Sequence, residues 1–273
     1  MRYETVQTLK DEDFKRSTGV QRSTFEKMLE VVTAGLRDFG RPTKLSRADL
    51  LLLTLMYWRE YRTEFHISLT YGVSEATVCR TIKKVENVLI KSKQFHLPGK
   101  KALQPSDTVI EIVLVDATEQ PVERPKKGQR RHYSGKKKRH TQKAQLIADL
   151  NTEKILATDF CIGSEHDFQL FKNSRCAIAP ETCLLADSGY QGMLAFHPNS
   201  QTPVKKSKLH PLRQEQKANN RKLSRKRILI ENIIRRLKIF RILSERYRNR
   251  RKRFGLRFNL IAAICNMELK TAH

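Results

Sequence analysis

The stretch TVIEIVLVDATEQPV, residues 108–122, decides how the rest of the chain is read. Its β-branched run is that of a buried strand, and the hydrophobic half stops at Asp116, so that an acid stands where the strand ends. Two further strands follow, KAQLIADL at 143–150 and EKILATDFCIG at 153–163, joined at Asn151-Thr152 as in a hairpin. Ser164 is expected to cap a helix through EHDFQLFKNS. ETCLLADSGYQG at 181–192 then reads as a short buried strand that ends at Asp187 in a glycine-flanked turn, and a last strand is expected at 202–205 before a long basic helix over 212–245.

Three strands, a helix, a fourth strand, a helix, a fifth strand and a long helix is the element order of an RNase H-like α/β sheet. The expectation is a mixed five-stranded sheet flanked by helices. Upstream the pattern changes to helices. A cap at Ser23 or Thr24 precedes FEKMLEVVTAGL, and Ser46 precedes ADLLLLTLMYWREY. In EFHISLTYGVSEATVCRTIKKVENVL, residues 64–89, a short amphipathic helix meets a Gly72 turn, a Ser74 cap and a second helix. That second helix packs Val78, Ile82, Val85 and Leu89 inward and leaves Ser74, Glu75, Thr77, Arg80, Thr81, Lys83 and Lys84 outward, which is helix-turn-helix order with a face for a DNA groove. The expected domains are an all-α DNA-binding domain at 1–95, a Pro-, Gly- and Lys-rich linker at 96–107 and a catalytic domain at 108–265.

The 273 residues hold 54 Lys+Arg against 28 Asp+Glu, a formal charge of +26. Residues 124–143 and 201–257 together carry +28, leaving the remainder at −2, so the excess forms two blocks as an electrostatic footprint for phosphates would. A membrane-surface helix would need an apolar face, and RYRNRRKR at 246–253 has none. Five cysteines without a CxxC pair speak against a disulfide framework or structural zinc and for a reducing cytosol, and no segment reads as a membrane span. His132 and His140 lie among basic residues and are assigned to phosphate contact. Asp149 and Asp159 read as structural acids, Trp58 and Tyr190 as packing residues, and His166-Asp167 as a helix-terminus pair.

Asp116 and Asp187 both sit at strand C-termini, where an open α/β sheet presents its ligand crevice. Glu231 is the only acid between Gln216 and Ser244, beside an apolar stripe of Ile230, Ile233, Ile234 and Leu237, and can face the sheet edge. Three converging carboxylates repel unless cations neutralise them, and oxygen ligands suit magnesium. Two such ions about 3.5–4 Å apart would serve an in-line phosphoryl displacement, with Mn2+ able to substitute. Arg227, Arg235 and Lys238, at helical spacing from Glu231, are assigned to the flanking phosphates, together with Lys136, Lys137, Lys138 and Arg139.

VDATEQPVERPK at 115–126, YSGKKKRHTQKAQ at 133–145, GSEHD at 163–167, ADSGYQG at 186–192 and Arg227-x3-Glu231-x6-Lys238 together resemble the DDE-superfamily insertion-sequence transposases, close to the insertion-sequence-five family and the Harbinger-like transposases. Ser224 departs from the tyrosine that related transposases often place there. The resemblance implies that Asp116, Asp187 and Glu231 bind the metals, that DNA is cut by hydrolysis, and that the freed 3′-hydroxyl attacks a target strand. It implies as partners the element's terminal inverted repeats and target DNA, a homo-oligomer when ends are paired, and a nucleoid-associated cytoplasmic location. A metal-dependent nuclease without strand transfer and a non-catalytic DNA-binding regulator are the alternatives.

Overall fold

The computed structural model describes residues 2–37, 44–105, 110–206, 211–249 and 252–269. They form two compact units, each assembled from separate pieces of chain. The first gathers Met1–His96, Leu237–Arg246 and Leu256–His273, and the second holds Leu97–Arg236 and Tyr247–Gly255. Leu256–His273, whose Phe258, Leu260, Ile261 and Ile264 are buried, clusters with the first unit although residues 256–265 fall in the expected catalytic segment 108–265.

In the first unit six helices precede the linker: α1 Tyr3–Val6, α2 Asp11–Thr18, α3 Arg22–Gly35, α4 Arg47–Arg59, α5 Glu64–Tyr71 and α6 Glu75–Lys91. Every residue of α4 from Asp49 to Trp58 is buried, as befits a helix that is apolar all round and stands at the centre. Ser46 and Asp49 close a reciprocal capping box at its start. The cap expected at Ser23 or Thr24 is not formed. Arg22 reaches Asp11 at 2.8 Å and the carbonyls of Gln7 and Leu9, and α3 begins two to three residues earlier than expected, behind Gln21, which makes no side-chain cap bond.

The α5–α6 turn is built as its sequence indicates. Gly72 takes the left-handed conformation (φ 63°) that a side chain disfavours, and the Ser74 hydroxyl accepts the Thr77 N–H. Val78, Ile82, Val85 and Leu89 are buried, while Arg80, Lys83 and Lys84 are exposed. Thr81, expected outward, is buried, because it flanks the apolar stripe about 100° from Ile82. Glu86, fully buried on the same helix, accepts from Arg257 Nε at 2.6 Å and Trp58 Nε1 at 3.2 Å. That bond ties α6 and α4 to α10, Phe254–Leu269.

The second unit contains β1 Ile112–Pro121, α7 Gln129–His132, β2 Tyr133–Ser134, β3 Arg139–Asp149, β4 Ile155–Ile162, α8 Asp167–Ser174, β5 Cys183–Ala186, β6 Ser200–Gln201 and α9 Gln214–Lys238. The sheet runs β4-β3-β1-β5-β6. β3 is antiparallel to both neighbours and the β1-β5-β6 side is parallel, while β2 adds a two-residue ladder to β3. This is the mixed RNase H-like arrangement that the element order implied. One face packs Val113, Val115, Ile147, Leu184 and Ala186 against Phe171 of α8 and Tyr190. The other packs Leu114 and Leu185 against Leu223 and Ile230 of α9.

Local expectations shift in several places. The last strand lies at Ser200–Gln201 rather than 202–205, and the helix expected before it is two 3-10 turns, Ser188–Tyr190 and Met193–Ala195, separated by Gly192 at φ 92°. The long helix stops at Lys238 and gives way to a 3-10 turn, Arg241–Leu243. Ser164 does not cap α8; its hydroxyl donates to the Arg131 carbonyl, and the helix starts at Asp167. The linker is partly docked, with Leu103 buried against the sheet and Lys100 paired to Asp159 at 2.6 Å. No described helix is long and apolar enough to cross a membrane.

Candidate active site

Register brings the first two acids together. β1 and β5 are parallel partners up to Val115 opposite Ala186, so the next residues, Asp116 and Asp187, stand level where that ladder ends; Asp116 does not end its strand as expected, because β1 runs on to Pro121 paired with β3. Strand alternation puts Asp116 on the face of Leu114, the face that α9 covers. Asp187 begins the turn and accepts the Gly189 N–H at 2.7 Å. Asp116 accepts the Ala117 N–H at 2.8 Å.

A third aspartate joins them, one whose sequence position suggests only a helix terminus. Asp167 opens α8, and its Oδ1 accepts from Lys143 Nζ at 2.8 Å. Lys143 is buried in β3, donates also to the Glu165 carbonyl at 2.5 Å, and lies 3.8 Å from Glu119. It is thus an internal cation, although its place in the basic block 124–143 suggests a DNA contact. Asp167 Oδ2 faces Gly189. A methyl group there would stand 2.8 Å from Asp187 Oδ1 and 3.0 Å from Asp167 Oδ2, so glycine is what allows both carboxylates to crowd the turn. The one sequence signal for Asp167 is the GSEHD motif; its partner Lys143 lies twenty-four residues away on β3.

Burial pushes the Asp116 carboxyl up to about 6, and the charges of Asp187 and Asp167 add to the effect, against the pull of the Ala117 N–H and of Arg227. Arg227 reaches Asp116 at 3.8 Å with its side chain only 15% exposed, so it faces inward to a carboxylate rather than outward to the phosphate assigned to it. Tyr190 is fully buried, and its hydroxyl has no hydrogen-bond partner among the described residues. Burial, and then the charges of Asp116, Asp167 and Asp187, raise its pKa well above the ordinary phenol value.

Glu231 sits one helical turn beyond Arg227, beside buried Ile230, and is exposed. The salt bridge that a lone acid on a basic helix would make is absent among the described residues; Arg236 pairs instead with Glu153 at 2.6 Å. The acids acting most strongly on Asp116 are Asp187 and Asp167. As the side chains stand, no three His, Cys, Asp or Glu among the described residues are close enough together to hold a metal ion. The chemistry of the donors nevertheless fits a hard divalent cation: carboxylate oxygens only, one raised in pKa by burial and by its acidic neighbours, and a buried hydroxyl with nothing to bond.

The residues assigned to DNA divide by exposure. Lys136, Lys137 and Lys138 form the exposed tip between β2 and β3, and Arg139 follows, exposed, as the first residue of β3. Arg80, Lys83 and Lys84 are exposed on α6, whereas Thr77 is half-buried and its hydroxyl lies 2.9 Å from the Ser74 cap. On α9 Arg235 is exposed and Lys238 partly so. His132 is buried and cannot meet a phosphate as expected; His140 packs edge-on to Tyr133. Arg250 and Arg251, in the same basic region, lie outside the described residues.

A family model described as DDE superfamily endonuclease matches residues 115–266, and one described as the helix-turn-helix of DDE superfamily endonuclease matches 43–94, the span of α4 to α6. A probable transposase for insertion sequence element IS702 from Microchaete diplosiphon is 48% identical over 272 residues, which cover 98% of this chain and 99% of that protein. The superfamily implies divalent-metal dependence, and its helix-turn-helix implies DNA binding. With two aspartates level at the end of the β1–β5 ladder, a glutamate-bearing helix across the sheet and matches that cover both units, the chain belongs to the DDE superfamily of transposase endonucleases.

Proposed function

We propose that the protein is a transposase that binds the terminal inverted repeats of its own element, cuts DNA at them and joins the freed ends to target DNA. Asp116, Asp187 and Glu231 would hold two Mg2+ ions. The observation that carries this reading is the parallel register that sets Asp116 level with Asp187 on the α9 side of the sheet. When bound, the ions would polarise the attacked phosphate and ease deprotonation of the attacking oxygen.

The chain's own residues do the rest. Asp116 and Asp187 are held by the Ala117 and Gly189 N–H groups and present their remaining oxygens beyond the end of the β1–β5 ladder. Glu231, free of a salt bridge and one turn from Arg227, can swing toward them without breaking an ion pair. In the first reaction water attacks phosphorus at the element end and the P–O3′ bond breaks, so the departing oxygen takes up a proton as a 3′-hydroxyl. In the second, that hydroxyl attacks a target phosphodiester and the target's own O3′ leaves. One ester replaces another and no nucleotide triphosphate is needed. Arg80, Lys83 and Lys84 on α6 would read the element ends. Lys136, Lys137, Lys138, Arg139 and Arg235 would hold backbone phosphates, and two protomers would pair two ends.

The test is incubation of purified protein and Mg2+ with labelled terminal repeats and a plasmid target. Joined products that vanish in Asp187→Ala support the reading. Hydrolysis without joining would leave a nuclease, and no metal-dependent cutting at all would leave a DNA-binding regulator.

A further inference from the structure

We propose that Asp167 is a further ligand of the divalent cation, contributing Oδ2 beside Asp116 and Asp187, and that Lys143 is the residue that positions it. The proposal rests on the cation-binding reading above and deepens it.

Two oxygens of Asp167 are used differently. Oδ1 is pinned by Lys143 Nζ, itself buried and held by the Glu165 carbonyl, so the carboxylate cannot turn away into solvent without leaving a buried ammonium short of its closest counter-charge. Oδ2 is left pointing across Gly189 toward Asp187 Oδ1. A surface helix cap would show the opposite arrangement: free rotation, with an oxygen on its own helix's N–H groups. α8 makes no such use of a side chain at its N-cap, His166.

Tyr190 supplies an independent sign. It is fully buried, and its hydroxyl reaches no acceptor although three carboxylates act on it electrostatically. A buried hydroxyl left unbonded is destabilising. Such a group beside clustered acids marks a space meant for something polar, and a hydrated cation held among Asp116, Asp187 and Asp167 would answer both the repulsion and the missing bond.

The experiment uses Tb3+ as the probe on the DNA-free, full-length protein. Affinity is read by sensitised luminescence, and the number of coordinated waters by lifetimes in H2O and D2O. Asp116→Asn and Asp187→Asn should each weaken Tb3+ binding at least tenfold. Asp167→Asn should weaken it about 10- to 100-fold and add one coordinated water at saturation. Lys143→Met should weaken it by about tenfold with the water number unchanged, as expected for an outer-shell partner. If Asp167→Asn does not fold, Asp167→Glu, which keeps the charge and the Lys143 partner, should still lose affinity because its oxygens are displaced. Unchanged affinity and water number in the Asp167 variant, with the Asp116 and Asp187 variants weakened, overturn this proposal alone. Unchanged affinity in the Asp116 and Asp187 variants overturns the cation-binding reading beneath it.

Discussion

Glu86 in the first unit, fully buried, and Asp116 in the second, half-buried, are both acids near an arginine, yet they are treated in opposite ways. Glu86 is fully enclosed and meets Arg257 at 2.6 Å and the Trp58 indole at 3.2 Å. Asp116 has Arg227 only at 3.8 Å, two further aspartates within electrostatic reach, and a carboxyl pushed up to about 6 by its burial. A buried charge with every partner present fixes one packing arrangement. A buried charge left short of partners costs stability and marks where something from outside is to be bound.

The contrast can be broken by substitution. Replacing Asp116 or Asp187 by Ala should lower metal-dependent DNA cleavage by about a thousandfold or more, since ligand loss removes several kcal/mol of transition-state stabilisation. Melting temperature should stay level or rise, and a parallel fall in thermal stability would show these acids to be structural like Glu86. Arg257→Met should do the reverse. It strands a buried carboxylate and should cost about 3–5 kcal/mol in denaturant unfolding, so a cost under about 1 kcal/mol would remove the distinction.

Proton linkage sharpens the comparison. Because the folded-state pKa of Asp116 lies above the unfolded value, the folded protein holds the extra proton between about pH 4 and 6 and loses stability as pH rises through that window. In metal-free protein, Asp116→Asn should therefore be more stable than the parent by about 1–3 kcal/mol above pH 6, the advantage fading toward pH 4. Melting curves from about pH 4 to 8 test this, and a constant difference would dismiss it. The smallest effect is expected at the exposed tip. Neutralising Lys136, Lys137 and Lys138 together should flatten the slope of log affinity against log salt by about 0.9 for each DNA phosphate that these side chains no longer neutralise. Neutralising buried Lys143 should instead leave that slope alone and lower stability.

How far the sequence carries is plain from particular residues. That Asp116 and Asp187 stand level is legible because each follows an apolar run fit for a parallel pair, though β1 runs on past Asp116; Ser46, Gly72 and Ser74 are legible because capping and left-handed turns are local chemistry. Asp167 is not, since what distinguishes it from an ordinary helix-terminal acid is an ammonium from β3. Arg227 misleads for the same reason: helical spacing shows which residues share a face, and says nothing about whether that face meets solvent or a carboxylate. FGLRFNLIAAICNMEL at 254–269 reads as more of the catalytic domain, and only tertiary contact reveals that Arg257 belongs to Glu86.

That pairing has a consequence for inheritance. A copy of the gene carrying a stop codon between residues 86 and 257 encodes a chain whose Glu86 is without its arginine, and whose N-terminal helices lack the Leu256–His273 segment of their unit. Such a chain should be cleared by proteases instead of surviving as a stable DNA-binding fragment.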